Sequence, residues 1–185
     1  PIRRFKSGDE LLAAADGILQ RTKPRMAQLF GRLPKADCVM KEMEPFRAAS
    51  APVAYYNPTP ENGSRPGYYY INTYAPQERL RFTLEALTYH EAIPGHHLQG
   101  ALDQENTDLP KFRRYGNFTA YVEGWALYSE ELAREMGVYE GDPRGEIGYI
   151  QSSLFRAARL VVDTGMHAKR WSREKAIETM NAISG

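Results

Sequence analysis

The chain has 185 residues, which is enough for one domain that buries an apolar core without a metal or a disulfide. Hydrophobic residues make up 42% of the chain and charged residues 25%, which is typical of globular proteins and excludes a collagen-like or wholly disordered chain. The 24 Lys and Arg residues nearly balance the 23 Asp and Glu residues, so the net charge of +1 predicts neither a nucleic-acid partner nor an anionic membrane.

The cysteine content and the hydropathy pattern set further limits. Cys38 is the single cysteine, so the chain forms neither an intrachain disulfide nor a cysteine-based zinc site. No apolar run approaches the ~18 residues of a transmembrane helix, and no membrane span is expected. The chain begins at Pro1 without a charged and then apolar leader, which fits either a processed protein or a piece of a longer one. The cytoplasm and the periplasm both stay open as compartments.

The elements are predicted in three stretches. Residues 1–32 are helical: Ser7 and Glu10 have capping-box spacing, which predicts a helix start near Asp9, and Pro24 is expected to kink or end that helix. Residues 33–74 are rich in proline and lack helical periodicity. Short runs typical of strands occur in this stretch at residues 38–40, 53–56 and 68–73, which predicts a small antiparallel sheet of about three strands.

Residues 77–185 return to helical periodicity. We predict helices over residues 77–93, 117–136 and 146–168, and a fourth helix after Ser172. The apolar stripe of the second consists of Phe118, Tyr121, Trp125, Tyr128, Leu132 and Met136. The residues of the third that are expected to point inward are Ile147, Ile150, Leu154, Ala157 and Val161. The predicted fold class is therefore α+β and mainly α, in a single domain over residues 1–185.

Three of the four histidines lie within eight residues, at His90, His96 and His97. A His-Glu pair on a helix, here His90 and Glu91, followed by another histidine is typical of zinc hydrolases, in which the adjacent carboxylate is the general base. The usual spacing is H-E-x-x-H, but position 94 is proline. On a regular helix His96 would lie about 9 Å along the axis from His90 and about 120° around it, so the two could not chelate one ion.

Pro94 and Gly95 change that expectation. Pro94 has no backbone N–H to donate to the His90 carbonyl, and Gly95 can adopt backbone conformations that other residues cannot. The helix should therefore kink or end near Ile93. The chain can then bring His96 back towards His90. The residues leave a second interpretation open, in which a helix stop is followed by a surface histidine pair and one histidine packs in the core.

The third ligand would be a carboxylate or His167, because cysteine is excluded. Glu123 is the best carboxylate, since its sequence neighbours are large and apolar and a charge there needs a partner. Gly124 beside it indicates that something approaches closely. The alternative is a glutamate on the polar face of an amphipathic helix.

A second constellation lies in the third of these helices. Arg159, Asp163 and His167 are four residues apart and form one polar line, with Arg156 beside it. His167 could donate to an oxyanion, or Asp163 could orient a histidine ligand. A purely structural ladder is the alternative.

Four segments resemble, in order, the blocks of one bacterial family. Residues 90–99 are similar to the H-E-x-x-P-G-H signature of the family known as "domain of unknown function 885", which is grouped with the gluzincin-like zinc metallopeptidases. Residues 64–73, 121–128 and 156–167 look like its other blocks. The resemblance implies a gluzincin-like helical core. Because family members are longer, we expect this chain to be the catalytic-core piece of a longer metallopeptidase-like protein.

The resemblance also implies site residues. His90, His96 and Glu123 would hold one zinc ion per chain and Glu91 would be the general base. The signature favours His96 over His97 as the ligand without excluding His97. The strand at residues 68–73 would form a sheet edge that holds an extended peptide.

The expected function is a zinc-dependent metallopeptidase acting on a peptide or small amide, with Glu91 as general base and His167 as a second electrophile. Two alternatives stay open. One is a catalytically silent module that binds peptide along the sheet edge. The other is a metal-dependent hydrolase of non-peptide amides or esters.

Overall fold

A helical fold with one small sheet is described over residues 4–184 by the computed structural model. In this range the helices are α1 (Gly8–Thr22), α2 (Met26–Leu29), α3 (Pro45–Ala48), α4 (Leu84–Glu91), α5 (His96–Glu105), α6 (Lys111–Arg114), α7 (Thr119–Glu135), α8 (Pro143–His167) and α9 (Arg173–Ser184). The strands are β1 (Cys38–Glu42), β2 (Ala54–Asn57) and β3 (Gly67–Ile71). The α+β, mainly α class is confirmed. Among the described residues, no helix combines the length and apolarity that a membrane crossing requires.

The start of α1 follows the predicted capping chemistry. The Glu10 backbone N–H donates to Ser7 Oγ at 3.2 Å, and the Glu10 carboxylate accepts the Lys6 backbone N–H at 2.6 Å. A 3-10 turn over Lys23–Arg25 ends the helix, as Pro24 predicts. The apolar side of α1 packs against α4 in the core.

The sheet has the order β1-β3-β2 and is mixed. β2 pairs antiparallel with β3, but β1 pairs parallel with it, with Cys38 opposite Gly67. The prediction of an antiparallel sheet is therefore wrong, because α3 and β2 together form the crossover that a parallel pair requires. β3 is consequently central, so the prediction that residues 68–73 form an edge is wrong as well. The edge strands are β1 and β2.

The helix predicted over residues 77–93 is shorter than expected. The 3-10 turns Pro76–Glu78 and Arg81–Thr83 precede α4, which packs against α1, α7 and α8. α4 ends at Glu91, close to the expected break near Ile93, and α5 begins at His96. The short α4 therefore brings His90 and Glu91 to its end, beside the start of the next helix.

The two long helices α7 and α8 are confirmed, but the predicted inward faces are wrong. Large residues of both stripes are exposed, including Phe118, Tyr121, Tyr128, Ile147, Ile150, Leu154 and Val161. The buried residues are Ala126, Ser129, Glu130 and Ala133 on α7 and Gly145, Gly148, Tyr149, Ala158 and Gly165 on α8. α8 needs these small residues, because a Cβ at Gly148 would overlap the Phe82 carbonyl and a Cβ at Gly165 would overlap the Trp171 ring. Periodicity of large side chains cannot identify a helix face that packs through glycine.

Candidate metal centre

Two histidines and a glutamate from three helices meet at the break between α4 and α5. His90 is in the last turn of α4, His96 is the first residue of α5, and Glu123 lies on α7. One ligand atom from each lies within 4.8 Å of the other two. Glu123 Oε2 is 3.4 Å from His90 Nε2, and Glu123 Oε1 is 3.6 Å from His96 Nε2. The helix break thus brings together the two imidazoles that a continuous helix would separate.

The turn between the two helices is fixed by α7 and by Gly95. A Cβ at Gly95 would overlap the backbone carbonyls of Tyr89 and His90, so only glycine fits there. The Pro94 carbonyl accepts hydrogen bonds from Trp125 Nε1 at 2.8 Å and from Ser129 Oγ at 3.1 Å. α7 therefore contributes Glu123 and also holds the turn that positions His96.

A buried carboxylate orients the His90 ring. Glu130 is 1% exposed, and its Oε1 lies 2.8 Å from His90 Nδ1. Ser152 Oγ donates to its other oxygen at 3.2 Å. Because the carboxylate accepts, Nδ1 carries the proton and the Nε2 lone pair points to the side of Glu123. A histidine that donates to a carboxylate in this way is typical of metal ligands.

His96 has the state and surroundings of a ligand. Burial lowers its pKa to about 4, and the neighbouring His90 and Arg156 lower it further, whereas Glu123 raises it. The imidazole is therefore neutral near pH 7, as metal binding requires. Its Nδ1 is buried and has no hydrogen-bond partner among the described residues. His96 Nε2 is the nitrogen that faces the Glu123 carboxylate, so a neutral ring protonated on Nδ1 presents its lone pair to that side.

Glu91 lies next to the ligands at the wall of an open cleft. Its Oε2 accepts the Tyr56 backbone N–H at 3.0 Å, which fixes the carboxylate orientation. Burial raises its pKa, and the negative charge of Glu123 acts in the same direction. The cleft has a volume of about 460 Å³ and is also lined by His96 and Glu123. A carboxylate with a raised pKa beside a metal site is suited to proton transfer.

The chain has relatives in sequence and in structure. It matches the family described as "Bacterial protein of unknown function (DUF885)" over residues 2–185. The chain belongs to the DUF885 family. A solved structure described as "the putative lipoprotein from Colwellia psychrerythraea" is 45% identical to the DUF885 chain, with a TM-score of 0.92. The match covers 96% of our chain and 30% of that one, so the chain spans less than a third of this relative. Among curated proteins, none matches.

The structure of this DUF885 chain does not bring His167 to the metal centre. His167 is exposed at the end of α8, eleven residues after Arg156 and hence about 16 Å further along the axis. Its Nδ1 donates to the Asp163 carbonyl at 2.9 Å. The predicted line of Asp163 and His167 exists, but it is a surface feature. The position of His167 therefore lends no support to the prediction that it is the second electrophile.

The structure also separates the roles of the two adjacent histidines. His97 is 2% exposed, its Nε2 donates to the Ala36 carbonyl at 3.1 Å, and its Nδ1 accepts from the Tyr56 hydroxyl at 2.9 Å. Both nitrogens are used inside the fold, and burial lowers the pKa of His97 to about 4. Of the pair, only His96 joins the ligand group found within the described residues.

Two residues of the centre were missed by sequence reasoning, and one expectation about a neighbour was wrong. Glu130 follows Glu123 by seven residues, which is two turns of one helix, and this spacing could have identified it. The sequence places Arg156 beside the polar line of α8 and indicates no role for it, whereas in the structure its Nη2 lies 3.1 Å and 3.3 Å from the two nitrogens of His90. A Cβ at Gly124 would meet nothing within 4 Å in the described part of the chain, so close approach does not explain this glycine.

Proposed function

We propose that this DUF885 domain is a zinc-dependent hydrolase of peptide bonds with a gluzincin-like site. The observation that carries the proposal is the meeting of His90, His96 and Glu123 within 4.8 Å, with Glu91 in the same turn as His90. Two imidazole nitrogens and one carboxylate oxygen are a donor set that suits zinc. Three protein ligands with one position left for water or substrate are typical of catalytic zinc sites, whereas structural sites have four.

The charge of the site supports a divalent cation. The carboxylates of Glu91, Glu123 and Glu130 lie close to one guanidinium, that of Arg156, so the ionised groups carry an excess charge of about −2. Buried charges are costly unless they are compensated. A zinc ion would balance this excess.

The chemistry follows from the positions of the chain's own residues. When bound, zinc lowers the pKa of a water molecule to about 7 and polarises a substrate carbonyl. Glu91 accepts the proton of the attacking water and passes it to the nitrogen of the leaving amine. Tyr56 keeps the Glu91 carboxylate in one orientation, and Glu130 keeps the His90 ring in one tautomer.

The edge of β2 that faces away from β3 supports a peptide substrate, although its Tyr56 N–H is used by Glu91. The Tyr56 N–H points away from β3, because it donates to Glu91. Alternate residues of a strand share this direction, so the backbone of Ala54 faces the same way. An extended peptide that adds to this edge would pass beside the general base. We therefore propose this edge for the role that the family resemblance implies for the strand at residues 68–73.

The test is hydrolysis of a peptide mixture by the zinc-loaded protein, followed by mass spectrometry. Glu91→Gln should keep zinc and lose about 10²- to 10⁴-fold in rate, because it removes the base and leaves the ligands. Glu135→Gln on the exposed end of α7 is the matched control and should cleave normally.

Other outcomes discriminate the alternatives. Cleavage that persists in Glu91→Gln would contradict the proposal. Hydrolysis of small amides or esters, with no hydrolysis of peptides, would favour a metal-dependent hydrolase of non-peptide amides or esters. Peptide binding without any turnover would favour a silent module.

A further inference from the structure

We infer that Arg156 stabilises the negative charge that develops on the substrate carbonyl oxygen during hydrolysis. This inference rests on the proposed function and names an electrophile on α8 that contacts the ligand group, which His167 does not. It assigns a catalytic role to a residue outside the ligand set, on a different helix from the general base.

The guanidinium of Arg156 lies directly beside the ligand group. Its Nη2 is 3.1 Å from His90 Nδ1 and 3.3 Å from His90 Nε2, and its Nη1 is 3.9 Å from Glu123 Oε2. Its Nε is 3.6 Å from Glu130 Oε1. The last two distances exceed that of a hydrogen bond, so neither carboxylate holds the guanidinium in a bidentate pair. Arg156 therefore lies at the candidate centre without a hydrogen-bonded ion pair to either carboxylate.

Metal binding would change what Arg156 can contact. When His90 Nδ1 donates its proton to Glu130, the ring lone pair that a metal can take is on Nε2. When Nε2 binds a metal, His90 offers the guanidinium no acceptor. An Arg156 N–H then needs another acceptor close to the ion, and a substrate carbonyl oxygen polarised by that ion is one.

The base and the guanidinium lie on different flanks of the ligands. Glu91 lines the cleft of about 460 Å³, whereas Arg156 lines a second hollow of about 420 Å³ together with Leu80, Leu87 and Phe155. The Glu130 carboxylate and Ser152 line the same hollow, so its partly apolar walls reduce solvent screening of the guanidinium only on one side. Addition of water to a carbonyl requires a base beside the attacking water, here Glu91, and a hydrogen-bond donor beside the carbonyl oxygen, here Arg156.

The step balances as follows. The water oxygen forms a bond to the carbonyl carbon, its proton goes to Glu91, and the C=O π pair moves to the oxygen, where Arg156 donates a hydrogen bond. The C=O bond then reforms as the C–N bond breaks, and its pair goes to nitrogen, which takes the proton from Glu91. Arg156 keeps all its protons throughout.

The experiment uses Arg156→Gln and Arg156→Lys in the zinc-loaded protein. The exposed Arg159→Gln, three residues further along α8, is the control. Zinc affinity, kcat, KM and the affinity for a peptide phosphonate, whose tetrahedral anion mimics the intermediate, are measured for each protein. We expect Arg156→Gln to lower kcat by about 10²- to 10³-fold, the loss typical of one oxyanion donor, with KM and zinc affinity unchanged. Phosphonate affinity should fall with kcat, Arg156→Lys should recover part of both, and the control should match wild type.

Each contrary result has a defined meaning. If Arg156→Gln loses zinc and Arg156→Lys does not restore phosphonate binding, Arg156 only positions His90 and Glu130, and the inference is overturned. Unchanged kcat and phosphonate affinity in Arg156→Gln would overturn it too, as would a wild-type protein that does not bind the phosphonate. Arg156-dependent phosphonate binding in a protein that cleaves no peptide would support the inference while the proposed function fails.

Discussion

The clearest single perturbation is Glu130→Gln, which removes a charge and keeps size and shape. Glu130 accepts from His90 at 2.8 Å and from Ser152 at 3.2 Å, and it is almost completely buried. Glutamine retains an acceptor oxygen for His90 but loses the negative charge that makes this ring a better donor to a cation. The variant therefore isolates the electrostatic part of the contact.

The expected effect is on zinc affinity. A hydrogen bond to a charged partner contributes about 1.5–3 kcal/mol, against about 0.5–1.5 kcal/mol for a neutral one. Loss of the difference weakens zinc binding by about 10-fold, and substitutions of such partners commonly cost about 10- to 100-fold. We therefore predict that the zinc Kd of Glu130→Gln rises by about 10- to 100-fold.

The assay is competition with a chromogenic zinc chelator at neutral pH. Glu135→Gln, which makes the same chemical change at the exposed end of α7, should bind zinc like wild type. Circular dichroism of each protein checks that the fold is retained. A Glu130→Gln protein that is folded and binds zinc as tightly as wild type would refute the reasoning that Glu130 orients and polarises His90.

Two further predictions concern glycine and cysteine. Gly95→Ala should abolish zinc binding, because its Cβ would overlap the His90 carbonyl. Gly124→Ala should raise the stability of α7 by up to about 1 kcal/mol, because its Cβ meets nothing within 4 Å among the described residues. Thermal melts with and without zinc measure both effects, and equal behaviour of the two variants would contradict the close packing at Gly95. Burial raises the pKa of Cys38 to about 12, so its thiol should stay protonated and unreactive towards a thiol reagent at pH 9 in the native protein and react fully in denaturant. Labelling across a pH series tests this, and rapid labelling of the native protein at pH 9 would show that Cys38 is accessible.

The sequence predicts where the helices and strands lie better than it predicts which helix faces are buried and how the strands pair. Capping at Ser7, the stop at Pro24 and the break near Ile93 are local effects, so residue types alone identify them. The inward faces of α7 and α8 are different, because close packing through Gly148 and Gly165 depends on what lies opposite. The parallel pairing of β1 likewise depends on a crossover between distant segments, which strand patterns do not specify.

The candidate centre likewise contains some residues that the local sequence indicates and others that only tertiary packing brings there. The His-Glu pair and the Pro-Gly break are contiguous, so chain chemistry could suggest that His96 returns towards His90. Glu130 and Arg156 join the centre only through the packing of α7 and α8 against α4. Helical spacing from Glu123 could have indicated Glu130, but no local signal distinguishes Arg156 from the arginine three residues later.

Zinc content by elemental analysis shows whether His90, His96 and Glu123 hold a metal ion. Wild type, His96→Ala and the distant surface variant His167→Ala would be purified identically and equilibrated with micromolar zinc. We expect one zinc ion per chain in wild type and in His167→Ala, and its loss in His96→Ala. A wild-type protein that takes up no zinc, or a His96→Ala protein that keeps it, would contradict the assignment of this centre.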